Sequence, residues 1–157
     1  MAREIERKFL VTADTWKSAV TRSIDYRQGY LASDEQCSIR VRVSDRHAHL
    51  NIKSATLGVE RLEYEYEIPL QDAHEMLDRL AVGPLIEKTR HYVDFGRHTW
   101  EVDVFAGDNA GLVVAEIELA DADEVFDRPG WVGEEVSHDP RYYNVCLVQN
   151  PYKKWRR

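Results

Sequence analysis

Arg3-Glu4-Ile5-Glu6-Arg7-Lys8-Phe9-Leu10-Val11 lays two patterns over one another. In an extended strand alternate side chains share a face, so Glu4, Glu6 and Lys8 project to one side and Ile5, Phe9 and Val11 to the other. A one-sided antiparallel sheet presents polar residues to water in the same way. Alone, the stretch establishes a strand with one charged and one apolar face.

The same alternation recurs along the chain. A second strand is predicted from Ser23 to Leu31, with Tyr26, Gln28 and Tyr30 sharing a face. From Ser38 to Ser44, Ile39, Val41 and Val43 oppose Arg40 and Arg42; after a turn at Arg46 and His47, Leu50 and Ile52 alternate with Asn51 and Lys53, which completes a hairpin. Beyond Gly58, Leu62, Tyr64, Tyr66 and Ile68 oppose Glu63, Glu65 and Glu67. Later strands carry Ile86, Lys88, Arg90 and Tyr92 on one face, then Glu101 and Asp103 opposite Trp100, Val102 and Val104, then Glu116 and Glu118 opposite Val113, Ala115, Ile117 and Leu119. The apolar spacing turns helical from Gln71 to Leu80, where Ala73, Met76, Leu77 and Leu80 form a stripe that ends at Gly83 and Pro84. Short helices are also expected through Trp16 and Val20, after Asp121, and from Pro140 through Tyr143, Val145, Cys146, Leu147 and Val148.

The 157 residues suit one domain with its own core, and 43% hydrophobic content agrees. The formal net charge of -7 argues against nucleic acid or an anionic membrane as the main partner, since both need a basic footprint. Cys37 and Cys146 are too few for a disulfide framework or a zinc cluster, and they point to a reducing, cytoplasmic setting. No apolar run reaches membrane-spanning length. The six histidines lack metal-ligand spacing, and Trp16, Trp100, Trp131 and Trp155 read as packing residues. The basic tail, with Lys153, Lys154, Arg156 and Arg157, reads as solvated.

What solvation explains poorly is the doubling of charge, Glu-x-Glu and Arg-x-Arg steps on strand after strand. If the strands close into an antiparallel barrel, the charged faces point inward and the apolar faces meet helices or a partner subunit. Buried charges persist only when paired or ligated. Adjacent carboxylates repel unless a cation sits between them, and clustered carboxylates without His or Cys favour a hard divalent ion, Mg2+ or Mn2+. Rows of Arg and Lys in the same cavity match phosphate oxygens. Metal and cations together fit a nucleoside triphosphate or free tripolyphosphate.

Glu4-x-Glu6-x-Lys8 at the N-terminus, followed in order by Arg40-x-Arg42, Lys53, Glu63-x-Glu65, Lys88-x-Arg90, Asp103 and Glu116-x-Glu118, resembles the CYTH superfamily of triphosphate tunnel metalloenzymes, most closely its short bacterial members. The resemblance implies an α+β fold over residues 1–157: an eight-stranded antiparallel β-barrel with flanking helices and a C-terminal plug helix. It implies that Glu4, Glu6, Glu116 and Glu118 hold a divalent metal, Mg2+ or Mn2+, and that Glu63, Glu65 or Asp103 help with a second metal or the attacking water. Lys8, Arg40, Arg42, Lys53, Lys88 and Arg90 would bind phosphate, with Glu65, Asp103, Lys8 and Lys88 as the catalytic set. Gly133 to Glu135, Val136, Asp139, Arg141, Tyr142 and Asn144 resemble the family's closing motif, which would bring Arg141 to the phosphates.

The family contains tripolyphosphatases, thiamine triphosphatases and class IV-type adenylate cyclases. Hydrolysis of tripolyphosphate to diphosphate and phosphate is the favoured expectation, because little of the chain lies outside the tunnel to build a base pocket. A non-catalytic polyphosphate-binding module is the alternative of another class. Apolar outer faces with few helices to cover them suggest a homodimer. Glu67 is expected at a rim, Arg7 and Glu87 out of phase with the tunnel, Glu101 at a mouth outside the core site, and Tyr30 either at the entrance or packed between strands.

Overall fold

The computed structural model describes residues 2–155. Its strands are β1 (Arg3–Val11), β2 (Val20–Ser33), β3 (Cys37–Val43), β4 (Ala48–Ser54), β5 (Glu60–Ile68), β6 (Ile86–Phe95), β7 (His98–Phe105), β8 (Val113–Glu118) and β9 (Val132–Glu135), with α1 at Leu70–Arg79 and a single turn, α2, at Asn144–Leu147. All pairings are antiparallel, in the order β5-β4-β3-β2-β6-β7-β8-β1-β9, and a further β5–β1 pairing closes eight of the strands into a ring.

The seam of that ring is short. β1 pairs with β8 along one edge, Glu6 to Leu10 opposite Glu118 to Val114. Its other edge is divided between β5, through Arg3–Leu62, Glu4–Arg61 and Ile5–Glu60, and β9, through Phe9–Glu135 and Val11–Val132. The ring is therefore closed beside Glu4 and splayed beyond Lys8, where β9 continues the edge.

The apolar faces turn outward. Phe9, Trp100, Val102, Ala115 and Ile117 form a cluster with Trp16, Trp131 and Phe126 on the outside of β1, β7 and β8, with Phe9–Trp100 and Trp100–Trp131 ring centroids 5.5 and 5.8 Å apart. Helix α1 covers Val41, Val43 and Ala48 with Ala73 and Leu77. Its following loop comes so close to β2 that a Cβ on Gly29 would lie 2.8 Å from Leu85 Cδ2. Burying these clusters outside the ring leaves its interior to charge.

One end of the ring is stoppered. Leu10, Val114, Phe105 and Ile86 continue the faces of Lys8, Glu116, Asp103 and Lys88 by one strand repeat, and they pack with Val136, Leu147 and Val148. The expected plug is present, but not as one helix. A 3-10 turn at Pro140–Tyr142, capped by the Asp139 carboxylate accepting from Arg141 N, gives way to extended Tyr143 (φ -73°, ψ 134°), and only the single turn α2 follows. The helix expected after Asp121 does not form, and the segment through Trp16 is a 3-10 turn. β9 is an addition, and β2 runs three residues further toward the N-terminus and two further toward the C-terminus than predicted. At the tail Lys153 reaches Asp108 at 2.7 Å and Trp155 packs on Tyr142 and Tyr152; Arg156 and Arg157 lie outside the described residues.

Candidate active site

The ring encloses a cavity of about 220 Å3 whose wall holds as many cations as carboxylates. Glu4, Glu6 and Lys8 of β1, Arg40 and Arg42 of β3, Lys53 of β4, Glu63 and Glu65 of β5, Lys88 and Arg90 of β6, and Glu116 and Glu118 of β8 all line it. By ring order β3 lies across from β8, so the Arg-x-Arg step faces the Glu-x-Glu step.

On the acidic side the carboxylates differ in state. Burial pulls the Glu4 carboxyl upward, but Lys53 (3.1 Å), a hydrogen bond with Glu63 and Arg61 (3.4 Å) outweigh it and hold it at about 2. Glu6 is pushed up to about 8, first by burial and then by the charges of Glu116 and Glu4. Glu116 is held well below the usual range because Lys8 (3.4 Å) and Arg90 (3.5 Å) outweigh its burial. Glu118, directly across the ladder from Glu6, lines the cavity and forms no ion pair among the described residues. Crowded carboxylates of this kind are relieved by a cation.

The cations fall into two sets. Arg90 is fully engaged: Nε and Nη2 donate to Asp103 at 2.8 and 3.0 Å, and Nη1 meets Glu101 at 2.5 Å. Lys88 donates to Asp103 (2.8 Å) and to Asn144 Oδ1 (3.0 Å), and its burial lowers its pKa to about 8 despite Asp103. Arg40 and Arg42 are the other set. Neither has an ion pair among the described residues, and each has a buried Nε without a partner. The Arg42 pKa is lowered by burial and by the repulsion of Arg40 and Arg90, and its guanidinium lies 4.3 Å from the centroid of the Tyr26 ring.

Two of the expected site residues do not line the cavity. Asp103 has no accessible surface and does not line the cavity; its oxygens accept from Lys88 and Arg90. Arg141 lies outside the cavity, bound to Asp139 at 2.7 Å and placed over the rings of Tyr142 and Trp155.

Conversely, Glu101 belongs to the wall, and so does Arg61, which sequence reasoning passed over although it is in phase with Glu63 and Glu65. Tyr30 is buried and lines the cavity, and Glu67 is an exposed rim residue beside His47. The stoppered end contributes Tyr143, Asn144 and Val145.

Residues 2–143 match the CYTH domain. The chain is 50% identical over 156 residues to an inorganic triphosphatase of Acetivibrio thermocellus, covering 99% of both, and 37% identical over 149 residues to one of Nitrosomonas europaea, covering 92% of this chain and 96% of the relative. A crystal structure of an inorganic triphosphatase superposes with a TM-score of 0.66 at 35% identity, over 94% of this chain and 95% of that one. A Hippeastrum protein described as a putative adenylyl cyclase with a dominant triphosphatase activity shares the fold at 15% identity, with a TM-score of 0.60 over 75% of this chain and 80% of its own. A domain match that spans the ring and its charged interior, joined by relatives alike along nearly their whole length, shows that this chain belongs to the CYTH family.

Proposed function

We propose that the chain hydrolyses inorganic tripolyphosphate to diphosphate and phosphate with the help of Mg2+ or Mn2+. The observation that carries this reading is the pair Arg40 and Arg42, cations pressed together inside the ring without carboxylate partners, facing an acidic wall that is itself overcrowded. A polyanion answers the first and a divalent cation the second.

Among the described residues no three acidic, His or Cys side chains form a ready-made ligand cage. Mg2+ is bound through one or two carboxylates and completes its shell with water and substrate phosphate oxygens. Glu6 and Glu116, with Glu4 and Glu118 beside them, are the carboxylates to hold it. When bound, the ion neutralises phosphate charge and withdraws electrons from phosphorus.

The chain supplies the rest. Arg40, Arg42 and Lys53 seat the phosphate oxygens, and Lys8 and Lys88 meet the charge that develops on the bridging oxygen as its bond to the terminal phosphorus breaks. Glu65, fixed by Asn51 Nδ2 at 2.7 Å, takes the proton of the attacking water. Asp103 aims Lys88 and Arg90, and Arg141 has no part.

A panel of tripolyphosphate, thiamine triphosphate and ATP with Mg2+ or Mn2+, products identified, tests the reading. Rapid release of phosphate from tripolyphosphate supports it; turnover in excess chelator, cyclic AMP as the main product from ATP, or tight binding without turnover over hours would overturn it. Among the described residues no helix is long and apolar enough to cross a membrane; the two cysteines are free thiols, which suits the proposed reducing, cytoplasmic setting. The outer face of β5 leaves Leu62, Tyr64 and Tyr66 exposed, and the proposed homodimer is checked by light scattering at working concentration.

A further inference from the structure

Arg61 stands at the seam of the ring, paired in register with Glu4, and its side chain is largely buried in the cavity wall. Its Nε lies 3.4 Å from Glu4 Oε1 and its Nη2 lies 3.8 Å from Glu6 Oε1. One guanidinium thus spans the two carboxylates of the Glu-x-Glu step. Lys53 also touches Glu4, but it shares itself with Glu63 on the far side and does not reach Glu6.

These contacts are long for charge-assisted hydrogen bonds, which shorten to about 2.7–2.9 Å when fully formed. The grip is therefore electrostatic and loose. The ring of Tyr143, with its centroid 5.8 Å from the Arg61 guanidinium, offers a second resting place. Tyr143 is itself fixed, its hydroxyl donating to Ser137 O at 2.6 Å and accepting from Gly58 N at 3.1 Å.

We propose that Arg61 is an exchangeable counter-cation, bridging Glu4 and Glu6 in the metal-free tunnel and yielding its place to the divalent ion. This rests on the proposed function, in which the Glu-x-Glu step is part of the metal side. A purely structural Arg61 would close the seam and favour every ligand of the folded ring. An exchangeable one competes with one ligand, the metal.

Mn2+ alone is titrated by calorimetry into wild type, Arg61→Gln, Arg61→Lys and Glu6→Gln, with thermal melts of each apoprotein. The expectation is that Arg61→Gln binds Mn2+ roughly tenfold more tightly than wild type, the scale of one lost charge contact in a desolvated site. The same variant melts lower without metal and regains the difference with it, and Arg61→Lys, which keeps the charge, stays near wild type. Unchanged or weaker Mn2+ binding by a folded Arg61→Gln, while wild type binds and Glu6→Gln does not, overturns the exchange and leaves the metal site standing. Equal Mn2+ binding by wild type and Glu6→Gln, or none by either, overturns the metal site and the exchange with it. If Arg61→Gln fails to fold, a failure of Arg61→Lys to track wild-type Mn2+ affinity overturns the exchange, and agreement between them supports it.

Discussion

Arg90 grips Asp103 through two parallel hydrogen bonds, Nε to Oδ1 at 2.8 Å and Nη2 to Oδ2 at 3.0 Å, while Lys88 holds the same carboxylate from the other side at 2.8 Å. Asp103 has no accessible surface, and in the proposed mechanism its work is to aim two cations into the cavity. Asp103→Asn keeps the shape but leaves Arg90 and Lys88 short of charge. Breaking one side of a buried ion pair costs on the order of 3 kcal/mol. We expect a large fall in melting temperature and a loss of about a hundredfold in kcat/KM for tripolyphosphate. Mn2+ affinity, by contrast, should hold within a few-fold by calorimetry; its loss together with activity would make Asp103 a ligand after all.

Arg40 and Arg42 lead to a prediction of opposite sign for stability. Each is held beside another cation without a carboxylate partner, so the folded apoprotein carries their repulsion and desolvation as a cost. Arg42→Met removes that cost and keeps most of the volume. The melting temperature without ligand should rise or stay level, by up to about 1–2 kcal/mol of stability, the range seen when buried charge is replaced by packed apolar groups. Tripolyphosphate, expected to raise the wild-type melting temperature by binding only the folded state, should then cease to do so. A variant that melts lower and still binds tripolyphosphate at wild-type affinity contradicts the reading.

Much of this site is legible in the one-dimensional pattern. Period-two alternation puts Glu4, Glu6 and Lys8 on one face and Arg40 and Arg42 on another, and doubled charges at those positions are poorly explained by solvation alone. What alternation does not carry is register. Asp103 is in phase with the cavity, yet β6–β7 pairing sets Arg90 opposite it, and the bidentate grip removes both oxygens from the surface. Arg61 was readable by phase with Glu63 and Glu65, but its meaning depends on which strand closes the ring, and the pairing with Glu4 is set over a seam of three residue pairs. The C-terminal segment shows another limit: a helical apolar spacing from Pro140 onward is overridden at Tyr143, whose extended backbone sends Asn144 and Val145 into the tunnel mouth.

Glu6 should make metal binding depend on pH. Its carboxyl, raised to about 8 by burial and by Glu116 and Glu4, keeps its proton to higher pH than a free carboxyl. The folded value lies above the unfolded one, so this group favours the fold fully below about 4.5 and loses that contribution as pH rises toward 8. A metal must displace the proton, so Mn2+ affinity should climb by up to about tenfold per unit between pH 6 and 8 and then level off. Calorimetry at several pH values, in buffers of different ionisation enthalpy, reads both the slope and the proton released. A flat profile with no proton release is the contrary result, and Glu6→Gln should show it together with weak binding.

Asn144 joins the stoppered end to the cations. Its Oδ1 accepts from Lys88 Nζ at 3.0 Å and from Gln28 Nε2 at 2.9 Å, and Gln28 is fully buried with no other side-chain partner for that nitrogen. Asn144→Leu takes away the acceptor from both donors. Each buried donor left unpaired costs about 1–3 kcal/mol, so the protein should melt well below wild type. Lys88 would still be held by Asp103 but would lose the contact that fixes its direction along the tunnel. The effect on turnover should therefore fall on kcat more than on KM, because Arg40, Arg42 and Lys53 are the groups proposed to seat the ground-state phosphates without it. Asn144→Asp supplies the missing acceptor and adds a charge beside Lys88, so it should recover stability while shifting the basic limb of the kcat profile to higher pH. Equal losses in kcat and substrate affinity for both variants would instead mean that Asn144 merely keeps the stopper folded.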